Sequence, residues 1–583
     1  MNRLVLLAVA TAASAHAQTV LVKPYIQPGD GATLNVADTR VLTWVTDQKP
    51  GTFTVEYGWH GVEMKTAQAA RISLDFPKYI PKPKPPTPAT APGAKPGTPT
   101  PTGKPGETAP AKPAETGTGN TTPKTGEVTK PAPAVVAKPG TATATTKPVP
   151  PAPAAPKPTP IPVNPPSATF SDVASTLDDL KDKVIETFKP IPEREQHYFR
   201  YRAVLPELPF DTEVTYRVRL GATVIREGTF KTRATATKPV RFVAVGDLAS
   251  IRAEQYLIAY QVGLQKPDFL VALGDITYPG GRALQYMDHF WPCYNDVDKA
   301  SPKTGWPLLA TTTLYPVIGN HDADMQRLPD YPDAFSAFFW FSVPKNGPGT
   351  GPWNTPLGKD AAIAASFRTH AGPEYPAMSD YSFDYGPAHF LIIDSNSYAT
   401  KEMDKIAAWM EQDLSSSKQP WKFVCTHQPP FQTSKEHYTE QRLRLFEPMF
   451  ERCGVDVVFA GHVHNYQRSM PFKFTPNPPK RDPRGRVNGD FTLDQTFDGI
   501  KDTTPEGIIH IVSGGGGAKP YATPLEKAVE FLKKEHGANY SAFTSKYYVE
   551  KNSFSVIELT PKSFELRQIN QDGKEIDHIK ITK

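Results

Sequence analysis

Five short segments bring together residue types that bind metal ions: Gly246-Asp247, Gly274-Asp275-Ile276-Thr277-Tyr278, Gly319-Asn320-His321-Asp322, Thr426-His427 and Gly461-His462-Val463-His464. They offer carboxylate, amide, phenol and imidazole groups and no thiolate, a mixture suited to divalent or trivalent cations. Two such ions about 4 Å apart can bind phosphoryl oxygens, lower the pKa of a bound water and neutralise charge in a transition state. That is the chemistry of phosphate-ester hydrolysis.

Each segment alone has a bland alternative. Taken alone, Asp247 after a glycine is more readily a helix cap, Tyr278 a packed aromatic and His427 a satisfied core histidine, and Asn320-His321 is as readily part of a buried polar network. Gly461-His462-Val463-His464 is the most specific of the five, because two histidines at spacing two after a strand can face one cavity. Their joint occurrence, each where an apolar run stops, favours a metal centre over five separate structural roles.

Such residues need strand ends to hold them. From Val240 onward, apolar strand patterns alternate with helical ones. The strand candidates are Arg241 to Val245, Phe269 to Leu273, Tyr315 to Ile318, His389 to Ile393, Lys422 to Cys425, Val455 to Ala460 and Ile508 to Val512. Helical spacing runs over Ala253 to Gln265, Lys401 to Leu414 and Thr439 to Cys453. This is α/β architecture over residues 240–560, with further C-terminal strands over 561–583, and the loops at the strand ends carry the site.

The preceding part alternates with period two. Arg40 to Val45 and Thr52 to Tyr57 lie on one side of a Pro-rich tract, and Tyr198 to Leu205, Glu213 to Leu220 and Ile225 to Lys231 on the other. Neither half has enough strands for a sandwich, whereas together they approach the usual number, which predicts one small β-sandwich over residues 18–235 interrupted by an insertion. The insertion, about residues 81–166, holds 26 of the 63 prolines, no aromatic residue and no leucine, so it cannot bury enough apolar area to offset its ordering entropy. Helical spacing at Val173, Leu177, Leu180 and Val184 predicts a short helix over 171–188.

The formal charge of +5 does not point to nucleic acid. The insertion carries ten Lys, no Arg and three Glu, so the basicity belongs to it and the rest of the chain is slightly negative. Without Arg or aromatic side chains to stack bases, the tract could contact acidic envelope polymers weakly, but not read a nucleic-acid sequence. Residues 1–17 have the pattern of a signal peptide, with Arg3, an apolar run from Leu4 to Ala13, and Ala15-His16-Ala17. No Cys follows for a lipid anchor, and no run is long and apolar enough to read as a transmembrane helix, so a secreted or periplasmic location is expected. Cys293, Cys425 and Cys453 are too few for a disulfide framework.

On Gly246-Asp247, Gly274-Asp275-x-x-Tyr278, Gly319-Asn320-His321, Val424-x-x-His427 and Gly461-His462-x-His464, the chain resembles the calcineurin-like metallophosphoesterases and, within them, the purple acid phosphatases. The leading β-sandwich is similar to the fibronectin type III-like domain of plant-type members, and the catalytic part would be an αββα sandwich. The resemblance implies Fe(III) held by Asp247, Tyr278 and His464, and a divalent Zn, Mn or Fe held by Asn320, His427 and His462, with Asp275 bridging. It implies His321 and His437 as catalytic groups in the hydrolysis of phosphate monoesters by a metal-bound hydroxide. Ala249 stands where many relatives outside the purple group use His, Glu436 where plant members often have a second substrate-facing His, and Asp322 where they usually have Glu. A phosphodiester or nucleotide substrate on the same site, and a cell-envelope binding protein with an inactive phosphatase domain, remain alternatives.

Overall fold

The computed structural model describes residues 18–49, 51–76, 196–322, 332–348, 378–396 and 403–583. The expected leader, the Pro-rich tract and the helix over 171–188 lie outside the described residues, as do His370 and much of the loop 330–369.

The first eight strands are β1 (Val20–Gln27), β2 (Asp38–Asp47), β3 (Phe53–Trp59), β4 (Lys65–Ala67), β5 (Ala69–Phe76), β6 (Gln196–Leu208), β7 (Glu213–Leu220) and β8 (Thr223–Lys231). They form two antiparallel sheets, β1-β2-β6-β5 and β4-β3-β7-β8. Alternation along each strand sends Trp44, Val55, Tyr57, Tyr201, Val214 and Phe230 into one shared core, where Trp44 stacks on Tyr201 at 5.3 Å. Strands β5 and β6 flank residues 77–195 in sequence, yet they pair directly, with Phe76 opposite Gln196.

The α/β part begins with β9 (Val240–Val245), β10 (Phe269–Ala272), β11 (Thr313–Pro316), β12 (Tyr381–Tyr385), β13 (Ala388–Ile393), β14 (Trp421–Thr426) and β15 (Val457–Ala460). It continues with β16 (Tyr466–Ser469), β17 (Phe472–Pro476), β18 (Gly489–Leu493), β19 (Ile509–Ser513), β20 (Thr544–Tyr548), β21 (Ser553–Thr560), β22 (Ser563–Asn570) and β23 (Glu575–Thr582). One sheet runs β11-β10-β9-β21-β22-β23 and the other β12-β13-β14-β15-β19-β16-β20. Their central strands are parallel and buried on both faces, which is why they read as continuous apolar runs.

Phenylalanines fill the space between the two sheets. Phe242 of β9 lies 5.1 Å from Phe269, 5.3 Å from Phe390 and 6.1 Å from Phe459, so a single ring touches strands of both layers. On the outer faces, helix Ala253–Leu264 buries Leu257, Ile258 and Val262. Helix Met403–Ser416 presents Ile406, Met410 and Leu414 at spacing four to Leu391, Ile393 and Val424. The order is helix, sheet, sheet, helix, as the sequence reading anticipates.

Two elements differ from expectation. Thr439 to Cys453 is not one helix but a 3-10 turn, Arg442–Phe446, followed by an α-helix, Glu447–Arg452. Pro448 has no N–H to give the preceding turn, so the α-helix starts there. The third strand lies at Thr313–Pro316 rather than Tyr315 to Ile318; Pro316 is accommodated because β11 is an edge strand, and Val317 N still donates to the Ala272 carbonyl just beyond it.

The β-sandwich is tied to the α/β part by a buried ionic cluster. Asp38 binds Arg233 Nε at 2.9 Å and Arg40 Nη1 at 2.7 Å, with all three side chains nearly inaccessible. Arg233 Nη1 also donates to the Ala32 and Asp384 carbonyls, spanning both parts. Burial works against the Asp38 carboxylate, but the two guanidinium groups hold its pKa below the usual value. Asp38→Asn leaves two buried cations without their counter-charge, and a loss of about 3–5 kcal/mol is expected from urea unfolding.

His389 joins strand and helix. Its Nδ1 lies 2.8 Å from Asp384 and its Nε2 2.8 Å from Asp413 of helix Met403–Ser416. Burial favours the neutral ring, but both carboxylates overcome this and raise the pKa from 6.5 to about 9. Because the folded value is the higher one, this stabilisation is fully present below pH 6.5 and is lost as pH rises through about 9. Unfolding stability measured from pH 6 to about 10 should fall across that window, and His389→Gln should flatten this part of the profile.

Candidate metal centre

The loops at the carboxyl ends of β9, β10 and β11 meet those of β14 and β15 from the opposite sheet. Asp247 N donates to Gly274 O, Leu248 N to Asp275 O and Tyr278 N to Ala249 O, each at 2.9–3.0 Å, so the first two loops continue the ladder beyond their strands. Asp247, Asp275 and His462 stand at φ of +62°, +50° and +66°, a left-handed region that costs a non-glycine residue about 1–2 kcal/mol. Three strained residues on three strand ends mark a place where side-chain direction outweighs backbone comfort. Gly274, at φ +85°, also leaves room for a ring: a Cβ there would overlap His427.

Two groups of side chains converge around Asp275. On one side the Tyr278 hydroxyl donates to Asp247 Oδ1 at 2.9 Å and lies 3.1 Å from His464 Nε2, itself 3.3 Å from Asp247 Oδ1. On the other, His427 Nε2 lies 3.1 Å from Asn320 Oδ1, 3.1 Å from His462 Nδ1 and 3.2 Å from Asp275 Oδ1. The two sides are stitched together by the His462 N–H, which donates to Asp247 Oδ2 at 2.8 Å, and by the His321 N–H, which donates to Asp275 Oδ1 at 2.7 Å.

The donor set fits metal binding: Asp275, His427 and His462 offer ligand atoms that all lie within 4.8 Å of one another. His427 Nδ1 donates to the Leu273 carbonyl and His464 Nδ1 to that of Lys519, so in each neutral ring the Nε2 lone pair faces inward. Lone-pair atoms of Asp275, Asn320, His427 and His462 then crowd one space with too few protons to share, which a cation resolves. The local field has the same sign. Burial would lower the His427 pKa, but Asp275 and Asp247 raise it to about 10. Burial, followed by the charges of Asp247 and Asp275, pushes the Tyr278 phenol well above its ordinary value. A neighbouring cation would reverse that push and admit a phenolate.

His321 and His437 rim the centre. His321 Nδ1 is held by the Pro279 carbonyl at 2.7 Å, and its ring lies 4.4 Å from that of Tyr278. The His437 ring sits 4.0 Å from that of His462. Thus all nine side chains singled out in the sequence lie together.

Three further residues belong to this arrangement. Tyr521 stacks on His464 at 4.3 Å, and its hydroxyl lies 3.2 Å from His437 Nε2; its only sequence signal is its position just past the glycine-rich run Ser513 to Gly517. Glu440 places Oε1 3.4 Å from His437 Nδ1 and Oε2 3.2 Å from His462 Nε2; the spacing of three from His437 could have found it. Asp322, fully buried, accepts the N–H groups of Ile276 and Gly319 and the Tyr286 hydroxyl, tying two loops together. Glu436 accepts from Thr523 Oγ1 at 3.3 Å.

Residues 240–466, which hold every one of these side chains except Tyr521, match the calcineurin-like phosphoesterase family. The chain carries a calcineurin-like phosphoesterase domain. Its curated relatives include purple acid phosphatase 18 of Arabidopsis thaliana, 24% identical over 43% of this chain and 48% of that protein. A purple acid phosphatase of Glycine max is 26% identical over 46% of this chain and 53% of its own length. The chain thus spans about half the length of the curated relatives it matches. The purple acid phosphatase of yellow lupin (Lupinus luteus) seeds shares the fold, with a TM-score of 0.52 at 15% identity over 97% of this chain and 74% of that one. The phosphoesterase domain therefore has the fold the resemblance implied, behind an all-β part.

Asp322→Ala would leave the Ile276 and Gly319 N–H groups unpaired and release both loops. The phosphoesterase domain should then lose about 1–3 kcal/mol in stability and bind metal about tenfold or more weakly. Chemical unfolding of chelated protein and metal content after dialysis would read the two effects separately.

Proposed function

We propose that this protein is a dinuclear metallophosphatase that hydrolyses phosphate monoesters in the manner of a purple acid phosphatase. The observation that carries the reading is the convergence of Asp247, Asp275, Tyr278, Asn320, His427, His462 and His464 on one buried space from five strand ends. Asp247, Tyr278 and His464 would hold Fe(III), Asn320, His427 and His462 a divalent Zn, Mn or Fe, and Asp275 would bridge the two. The ions would polarise phosphoryl oxygens and lower the pKa of nearby water.

The chain's own groups have separate tasks. Ala249, whose carbonyl fixes the Tyr278 N–H, has no side chain to compete with the phenol for the first ion. With Nδ1 committed to the Pro279 carbonyl, His321 is left with Nε2 to meet a phosphoryl oxygen or the departing group. His437 is oriented between Glu440 and the Tyr521 hydroxyl, and one of these two histidines would protonate the departing alkoxide. Among the described residues no helix is long and apolar enough to cross a membrane, and the leader-like residues 1–17 support export.

The test is metal analysis with a visible spectrum, together with rates on monoesters, diesters, phytate and nucleotides. Wild type should contain iron and show a phenolate-to-iron band that Tyr278→Phe abolishes. His427→Ala should reduce monoester turnover by about 100-fold or more. A band that survives Tyr278→Phe removes Tyr278 from the iron, and faster turnover of diesters than of monoesters would replace the proposed substrate class.

A further inference from the structure

Beside the metal centre lies a cationic recess. A cavity of about 280 Å³ is lined by Glu440, Arg442, Arg481 and Arg484 among others, and an adjoining one of about 420 Å³ shares Arg481 and adds Lys480 and Arg486. Glu440 is the partition: it lines the recess while its two oxygens reach His437 and His462. The recess is therefore one side chain from the metal-facing histidines.

The loop that carries the arginines is held in shape. Asp482 accepts the N–H groups of Arg484 and Arg486 at 2.9 Å each and pairs with the Arg486 guanidinium at 2.7 Å. Val487 N donates to Gln441 Oε1 at 3.0 Å, and Arg444 Nη1 donates to the Val487 carbonyl at 3.2 Å, fastening the loop to the segment that carries His437 and Glu440. At Gly485, φ +84°, a Cβ would stand 2.8 Å from the Thr439 carbonyl, so loop and segment are in close contact.

Its charges are unbalanced. Asp482 is committed to Arg486, and Glu535 is shared by Arg486, Arg484 at 3.4 Å and the Tyr438 hydroxyl. Glu440 is committed to the two histidines. Among the described residues Arg481 and Lys480 make no ion pair, and Arg484 keeps 68% of its side chain exposed. A preformed recess with surplus guanidinium groups suits a phosphate, which planar N–H forks bind bidentately.

We propose that Arg481 and Arg484, with Arg442 behind them, form an anion subsite that receives a second phosphate on the substrate's leaving group, so that the site favours bisphosphorylated over singly phosphorylated esters. This rests on the phosphatase reading given above. No chemistry occurs in the recess; its phosphate remains attached while the other ester is cleaved at the metal centre.

The test compares phosphate release from fructose 1,6-bisphosphate and fructose 6-phosphate by the metal-loaded full chain. Wild type should prefer the bisphosphate, and Arg481→Ala/Arg484→Ala should lower the ratio of the two kcat/KM values about tenfold, mainly through KM. Arg481→Ala alone, on an exposed side chain, serves if the pair does not fold, and should lower the ratio less but in the same direction. An unchanged ratio overturns the subsite. If wild type cleaves neither ester, the hydrolase reading fails, and calorimetry with fructose 1,6-bisphosphate then decides the subsite alone. Weaker binding by the variant upholds it, and equal binding removes it.

Discussion

Two carboxylates, Asp247 and Asp275, are buried at the seam between two sheets, and much of the architecture answers to that charge. A buried carboxylate requires hydrogen-bond donors and positive charge close at hand. Here backbone N–H groups of His462 and His321 reach across from other loops, and imidazoles close the gaps. The two-layer arrangement makes this possible by setting the carboxyl ends of β9, β10 and β11 in one sheet against those of β14 and β15 in the other. The phenylalanine layer fixes the spacing of the sheets, and so the distance over which those loops must meet.

Strain and support are distributed accordingly. The left-handed backbone at Asp247, Asp275 and His462 is held by neighbours that cannot shift independently: the ladder between the first two loops, and Asp322 beneath the second and third. Farther out, the Asp38 cluster fixes the β-sandwich against β12, and His389 fixes β12 and β13 to their helix. These ionic contacts lie well outside the chemistry, yet they secure the layer from which His427 and His462 project.

The metal-facing segments were legible in the sequence because each begins where an apolar run stops, so that short-range spacing reported three-dimensional position, whereas His437 follows a polar stretch and was reached only through the family resemblance. Tyr521 was harder, since it arrives on a loop with no periodicity and gains meaning only from His464 across the site, and Glu440 was hidden within an apparent helical spacing and gains meaning only from its contacts with His437 and His462. The ionic cluster was invisible for a related reason: Asp38 and Arg233 lie on opposite sides of the long insertion, and nothing local marks them as partners. The segment Thr439 to Cys453 shows the opposite failure, an apolar spacing that suggested a helix where Pro448 decides where one can begin. Short edge strands such as β17 and β18 gave too brief an alternation to stand out from loops.

The direct pairing of Phe76 with Gln196 has a consequence for how this chain can vary. Strands β5 and β6 are already in register where the polypeptide leaves and returns, so residues 77–195 close a hairpin. Closure entropy grows only with the logarithm of loop length, about 0.6 kcal/mol for each doubling. The sandwich is therefore nearly indifferent to how much chain is threaded through that point. Additions and deletions there can accumulate without disturbing the register of β6.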